Sequence, residues 1–86
     1  MRKLSPYYVY ILQCDDGSYY TGYSNNPTHR FSEHLSGRGA KYTRMHKPSR
    51  MVYLQGHDSR IAAMRRERKI KTLTHAGKQR LIEAAI

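Results

Sequence analysis

Six of the chain's eight tyrosines, Tyr7, Tyr8, Tyr10, Tyr19, Tyr20 and Tyr23, fall within the stretch YYVYILQCDDGSYYTGYS. Val, Ile and Leu fill a small sheet well, whereas a buried tyrosine needs a partner for its O–H. Tyrosines at this density point to phenols kept for their hydroxyls. Further on, Arg30 and His34 stand four residues apart, which on a helix aims both at one place. The plainer alternatives are a solvated arginine and a surface or capping histidine. Glu67 stands alone among Arg60, Arg65, Arg66, Arg68, Lys69 and Lys71, four residues after Ala63 and three before Ile70. A helix turns such a residue toward its apolar side. A carboxylate there must be paired, protonated or bound to a metal. An ion pair with Lys71 or a neighbouring arginine is the competing reading.

The elements that position these groups begin with a hairpin. Tyr7–Gln13 and Ser18–Tyr23 flank Cys14-Asp15-Asp16-Gly17, and Asp-Gly is a strong turn signal. A two-residue turn would pair Asp15 with Ser18 and put Tyr10 and Tyr20 on opposite faces. A three-residue loop with a left-handed Gly17 would pair Cys14 with Ser18 and Tyr10 with Gly22, gathering Tyr10, Leu12, Tyr20 and Gly22 on one face. The second register is preferred, because it sets two phenols beside a glycine that lets something approach the backbone.

Asn26 as N-cap and Pro27 at the first helical position start a helix that should run to about Ser36 and stop at Gly37, with Phe31 and Leu35 as its core stripe. Residues 37–44 read as a flexible basic loop without P-loop spacing. Met51–Gln55 is a third strand, bounded by Pro48 and Gly56. A helix from Asp58 or Ser59 to about Leu73 carries Glu67, and Thr74 caps a last helix to about Ala85 that packs through Leu81, Ile82 and Ala85.

Sixteen Lys and Arg oppose six Asp and Glu, a formal charge of +10. Solubility needs a net charge of only about 2–8. The excess points to a polyanion, with nucleic acid first. The candidate contacts are Arg38, Lys41, Arg44, Lys47, Arg65, Arg68 and Lys71. A chain of 86 residues supports one core, so residues 1–86 read as a single domain with one compact site. Cys14 is the sole cysteine, which excludes an internal disulfide and suits a reducing compartment. No apolar run approaches the roughly 18 residues of a membrane span, and no signal-peptide core follows Met1, so the expected location is cytoplasmic.

With Tyr8-Val9-Tyr10, Tyr20-Thr21-Gly22, Arg30, His34 and Glu67 in this order, the sequence resembles the GIY-YIG nuclease superfamily. It is most similar to the short free-standing bacterial branch, which Ser36–Arg44 (SGRGAKYTR) also resembles. Each tripeptide alone is a weak pattern, but the ordered set covers nearly the whole chain. Tyr8 stands at the first motif's glycine position, and Tyr23 follows the second motif where some members, including the excision-repair nuclease domain, carry lysine.

The resemblance implies an α/β (α+β) fold, a three-stranded antiparallel sheet flanked by helices in the order β-β-α-β-α-α. It further implies DNA phosphodiester hydrolysis with a single divalent metal, Mg2+ or Mn2+. Tyr10, Tyr20, Arg30 and His34 would be catalytic, and Glu67 would bind the metal. One carboxylate holds such an ion when waters and substrate phosphate complete the octahedron. Arg30 would meet the phosphate, and His34 would position a phosphate oxygen or relay a proton. Either tyrosine is a candidate base, though a phenol with a pKa of about 10 needs nearby cations or a relaying water. Without an appended reader, targeting should follow DNA structure rather than base sequence, as in repair or recombination. The competing expectations are a non-catalytic nucleic-acid-binding module with the same fold, or a small RNA- or ribosome-associated protein.

Overall fold

The computed structural model describes residues 6–85. Seven elements follow in order: β1 (Tyr7–Cys14), β2 (Tyr19–Ser24), α1 (Pro27–Leu35), α2 (Lys41–Met45), β3 (Pro48–His57), α3 (Arg60–Lys71) and α4 (His75–Ala84). The strands form an antiparallel sheet in the order β2-β1-β3, which makes β1 the centre. This is the expected fold with one addition, the five-residue α2, in the stretch expected to be a flexible loop.

The hairpin adopts the three-residue loop. Tyr10 pairs with Gly22 and Leu12 with Tyr20. The Cys14 N–H donates to the Ser18 carbonyl at 2.8 Å, and Gly17 has φ +84°, a left-handed conformation that glycine adopts without a Cβ penalty. Asp16 accepts from both the Ser18 backbone N–H (3.0 Å) and its hydroxyl (2.6 Å), which closes the turn.

Alternation along β1 divides the molecule. Val9 and Ile11 point to one face and join Tyr53, Ala63 and Ile70 in the core, with Leu81 and Ile82 of α4 packed against it. Fully burying a Val or Ile contributes about 1.5–3 kcal/mol each, so this face holds α3 and α4 on the sheet. Tyr10 and Leu12 point to the other face, also buried, where His34 of α1 meets Tyr10 and Thr43 of α2 stands behind His34. Ala85 is exposed and does not join the packing expected of it.

Local chemistry sets the helix boundaries. Asn26 accepts from the His29 N–H, Ser59 from Ala62 and Thr74 from Gly77, each cap worth about 1 kcal/mol. Gly37 has φ +82° and ends α1, with the Arg38 N–H returning to the Glu33 carbonyl. β3 extends beyond the expected Met51–Gln55 at both ends. It is an edge strand, so Pro48 at its first position removes no interior ladder bond. The register shifts between Ile11 and Leu12, leaving Val52 as an extra residue.

The expected core stripe of α1 is corrected. Leu35 is 46% exposed and Phe31 only half-buried, while His34 is the buried residue of the helix. The sheet face opposite α1 offers a phenol rather than an apolar surface, so the position turned inward is one that can hydrogen-bond.

Candidate active site

The second sheet face brings together four of the expected residues. The Tyr10 and Tyr20 ring centroids lie 6.4 Å apart, those of Tyr20 and His34 4.9 Å, and those of Tyr10 and His34 5.9 Å. Tyr10 Oη lies 2.9 Å from His34 Nε2, and Arg30 stands beside the same phenol. Tyr10 and His34 are each 1% exposed, whereas Tyr20 and Arg30 are half-buried.

Gly22 and Gly39 make this arrangement possible. A Cβ on Gly22 would lie 2.6 Å from Tyr10 Oη and 2.7 Å from Cζ, so the group admitted against that backbone is the protein's own phenol. A Cβ on Gly39 would run into the His34 ring, within 2.8 Å of Cγ.

Burial and charge tune these groups. Burial drives the Tyr10 phenol well above its ordinary value, with Tyr20 adding to the shift and Arg30 opposing it. Burial also lowers His34 to about 4, assisted by the Arg30 charge, so the imidazole is neutral at physiological pH. Arg30 Nη1 donates to Glu33 Oε1 at 3.0 Å, which raises the arginine and leaves its remaining N–H groups for other acceptors.

Glu67 comes from α3, which packs on the opposite face through Ala63 and Ile70. Its side chain is 18% exposed, its Oε2 lies 3.3 Å from Lys71 Nζ, and its charge adds to the rise at Tyr10. The structure thus contains the helical ion pair and also keeps this carboxylate within electrostatic reach of the Tyr10 phenol. Among the described residues, no three His, Cys, Asp or Glu side chains converge as a metal cage. Glu67 is a hard oxygen donor, which fits Mg2+ or Mn2+ with water and phosphate as the other ligands.

Of the basic candidates, Lys71 is occupied by Glu67. Arg38, Lys41, Arg44, Lys47, Arg65 and Arg68 are exposed, and none belongs to an ion pair among the described residues. Arg44 and Lys47 line an open cavity of about 400 Å³ with His34, Leu35, Ser36, Gly37 and Thr43, directly behind the imidazole.

Several participants have no sequence signal of their own. Thr43 Oγ1 lies 2.7 Å from His34 Nδ1, although nine residues separate them. Tyr42 stands 5.9 Å from Tyr20 and stacks on His46 at 4.2 Å, and His46 Nδ1 meets Asp16 Oδ2 at 2.6 Å. The hairpin tip and α2 thereby brace the far side of Tyr20. At the departure from the lysine-bearing pattern, Arg60 points its guanidinium at Tyr23 Oη from 3.4 Å.

Residues 6–80 match the sequence profile of the GIY-YIG catalytic domain. The chain belongs to the GIY-YIG family, a family of nucleases, and its substrate class is accordingly nucleic acid. Its relatives include short UPF0213 proteins of similar length. One from Natronomonas pharaonis is 49% identical over 76 residues, covering 88% of this chain and 89% of the relative. Another, from Staphylococcus aureus, is 41% identical over 80 residues, covering 93% and 98%. The solution NMR structure of a UPF0213 protein from Bacillus halodurans is 45% identical and aligns with a TM-score of 0.59 over 91% of this chain and 83% of that one. That of a protein from E. faecalis is 36% identical, with a TM-score of 0.64 over 98% and 90%.

Proposed function

We propose that the protein is a divalent-metal-dependent DNA endonuclease that hydrolyses phosphodiester bonds and selects its substrate by DNA structure, such as the branched forms met in repair or recombination. The observation that carries this reading is the convergence of Tyr10, Tyr20, Arg30 and His34 on one sheet face, with Glu67 in electrostatic reach. A module that only binds nucleic acid has no need of two phenols and an imidazole in mutual contact. No helix among the described residues is long and apolar enough to cross a membrane. The buried free thiol of Cys14 suits a reducing compartment, so the cytoplasm is the proposed location.

Exposure divides the roles. Tyr20 and Arg30 reach solvent and are the proposed catalytic residues. Arg30 offers charge-assisted N–H donors to the phosphate, which count most as negative charge grows in the transition state. Tyr20 has no hydrogen-bond partner for its hydroxyl among the described residues and can meet the attacking water. Tyr10 and His34 are buried, and both His34 nitrogens are engaged inside the protein. They act as positioning residues behind Tyr20 rather than as phosphate ligands, a revision of the role expected for His34. Burial holds the Tyr10 phenol protonated, which leaves Tyr20 as the candidate base. Glu67 would hold Mg2+ or Mn2+, and such a cation would supply charge neutralisation at the phosphate. Lys71 would be displaced from the carboxylate in that state. Arg38, Lys41, Arg44 and Lys47, with Arg65 and Arg68 of α3, would contact the sugar-phosphate backbone.

Nicking of supercoiled plasmid and branched DNA in Mn2+ tests the reading, with Arg30→Ala as the control. Wild-type cleavage lost in Arg30→Ala supports it. Tight DNA binding without cleavage in any metal would establish the non-catalytic alternative, for which the Glu67–Lys71 pair is the favouring observation.

A further inference from the structure

We propose that Thr43 is the positioning residue that selects the tautomer of His34 and thereby fixes the direction of every hydrogen bond behind Tyr20. The inference deepens the nuclease reading and rests on it for its catalytic consequence, but its structural content stands alone. Donor and acceptor chemistry at three contacts fixes the order. The Ala40 carbonyl lies 3.0 Å from Thr43 Oγ1 and can only accept. Two oxygens that close attract only with a proton between them, so the threonine's single hydroxyl proton points to Ala40.

Thr43 Oγ1 then faces His34 Nδ1, 2.7 Å away, with only lone pairs. His34 Nδ1 must carry the proton, and in the neutral ring Nε2 must accept. Tyr10 lies 2.9 Å from Nε2, so its O–H donates inward. The pure acceptor at Ala40 pins the chain. It runs Tyr10 to His34 to Thr43 to Ala40, and no other order satisfies that carbonyl.

The consequence lies at the reacting centre. In the opposite tautomer, His34 Nε2–H would donate to Tyr10, and the Tyr10 proton would be released from the imidazole to turn toward the Tyr20 side. With Thr43 in place, the Tyr10 proton is held inside and the Tyr20 ring rests on a neutral imidazole of fixed orientation. Gly39 belongs to the same device, because a Cβ there would push His34 off the threonine. A residue nine positions from the histidine thus governs a phenol twenty-four positions from it on the other side.

Long-range 1H–15N NMR of the His34 ring tests the proposal directly in wild type, Thr43→Val and Thr43→Ser. Valine keeps the branched shape and removes the acceptor, while serine keeps the acceptor. Wild type and Thr43→Ser should carry the proton on Nδ1 with a bare Nε2, and Thr43→Val should shift the ring toward the Nε2–H form. Cleavage should fall by roughly tenfold or more in Thr43→Val and be restored in Thr43→Ser. A wild-type ring protonated on Nε2 overturns the proposal, as does a Thr43→Val ring that keeps Nδ1–H or cleaves at the wild-type rate. If the wild-type protein cleaves no DNA, the nuclease reading fails while the tautomer measurement still decides whether Thr43 sets the ring.

Discussion

The Tyr10 phenol lies across the strand pair on Gly22, where a Cβ would stand 2.6 Å from its hydroxyl. Tyr10 cannot yield, since it is fully buried and hydrogen-bonded to His34. Gly22→Ala should therefore cost about 1–3 kcal/mol, as overpacked cores do, and separate Tyr10 from His34. Urea unfolding measures the first effect and the His34 ring resonances the second. A fully stable Gly22→Ala protein with unchanged resonances would mean that the phenol is not held there.

Acid should destabilise the fold in a window set by His34. The unfolded chain binds this proton at the ordinary value of 6.5, and the folded chain only at about 4. As the pH falls through 6.5 the unfolded state takes up protons first, so stability drops until about pH 4 and is flat above 6.5 for this group. The loss is on the order of 3 kcal/mol for a fully buried ring. Urea midpoints across this window, with an NMR titration assigning the proton to His34, check the prediction. A His34 that titrates in the folded protein at the ordinary value would contradict it.

DNA binding should weaken steeply with salt, with a log–log slope of about 0.9 for each phosphate neutralised on B-DNA. Arg44→Ala and Lys47→Ala should each reduce the slope by about 1 if these cavity-lining cations meet phosphates. Fluorescence anisotropy at several salt concentrations measures it. Unchanged slopes in both variants would return Arg44 and Lys47 to a solubilising role.

The contrast between the hairpin and α2 explains how much was legible in the sequence. Asp-Gly punctuation locates the turn but fits two registers, and the observed one is the one that sets Tyr10 and Tyr20 on one face beside Gly22, since a one-residue slip separates them. The caps at Asn26, Ser59 and Thr74 are local chemistry and read the same way. Thr43 and His34 are different. α2 has five residues and one buried side chain, too little for a periodic pattern. His34 takes an inward position that apolar spacing would give to Leu35, because its partners lie on β1 and α2. Such a burial preference is a property of the assembled face, not of the helix. The position of Glu67 was legible as an inward turn on α3, and its partner Lys71 was one of the two readings that spacing left open.

Under the proposed function Glu67 holds the metal of a nuclease and is more than the ion-pair partner of Lys71. Plasmid nicking and DNA binding by Glu67→Gln, assayed beside wild type across a Mn2+ titration, test it most directly. Cleavage should be abolished while binding stays equal or becomes slightly tighter, since removing a negative charge from a cationic surface cannot weaken its attraction to phosphate. A partly exposed helical pair contributes only about 0.2–1 kcal/mol, so the variant should remain folded and its melting temperature should confirm that. Cleavage by Glu67→Gln at the wild-type rate and with the same Mn2+ dependence would contradict the account.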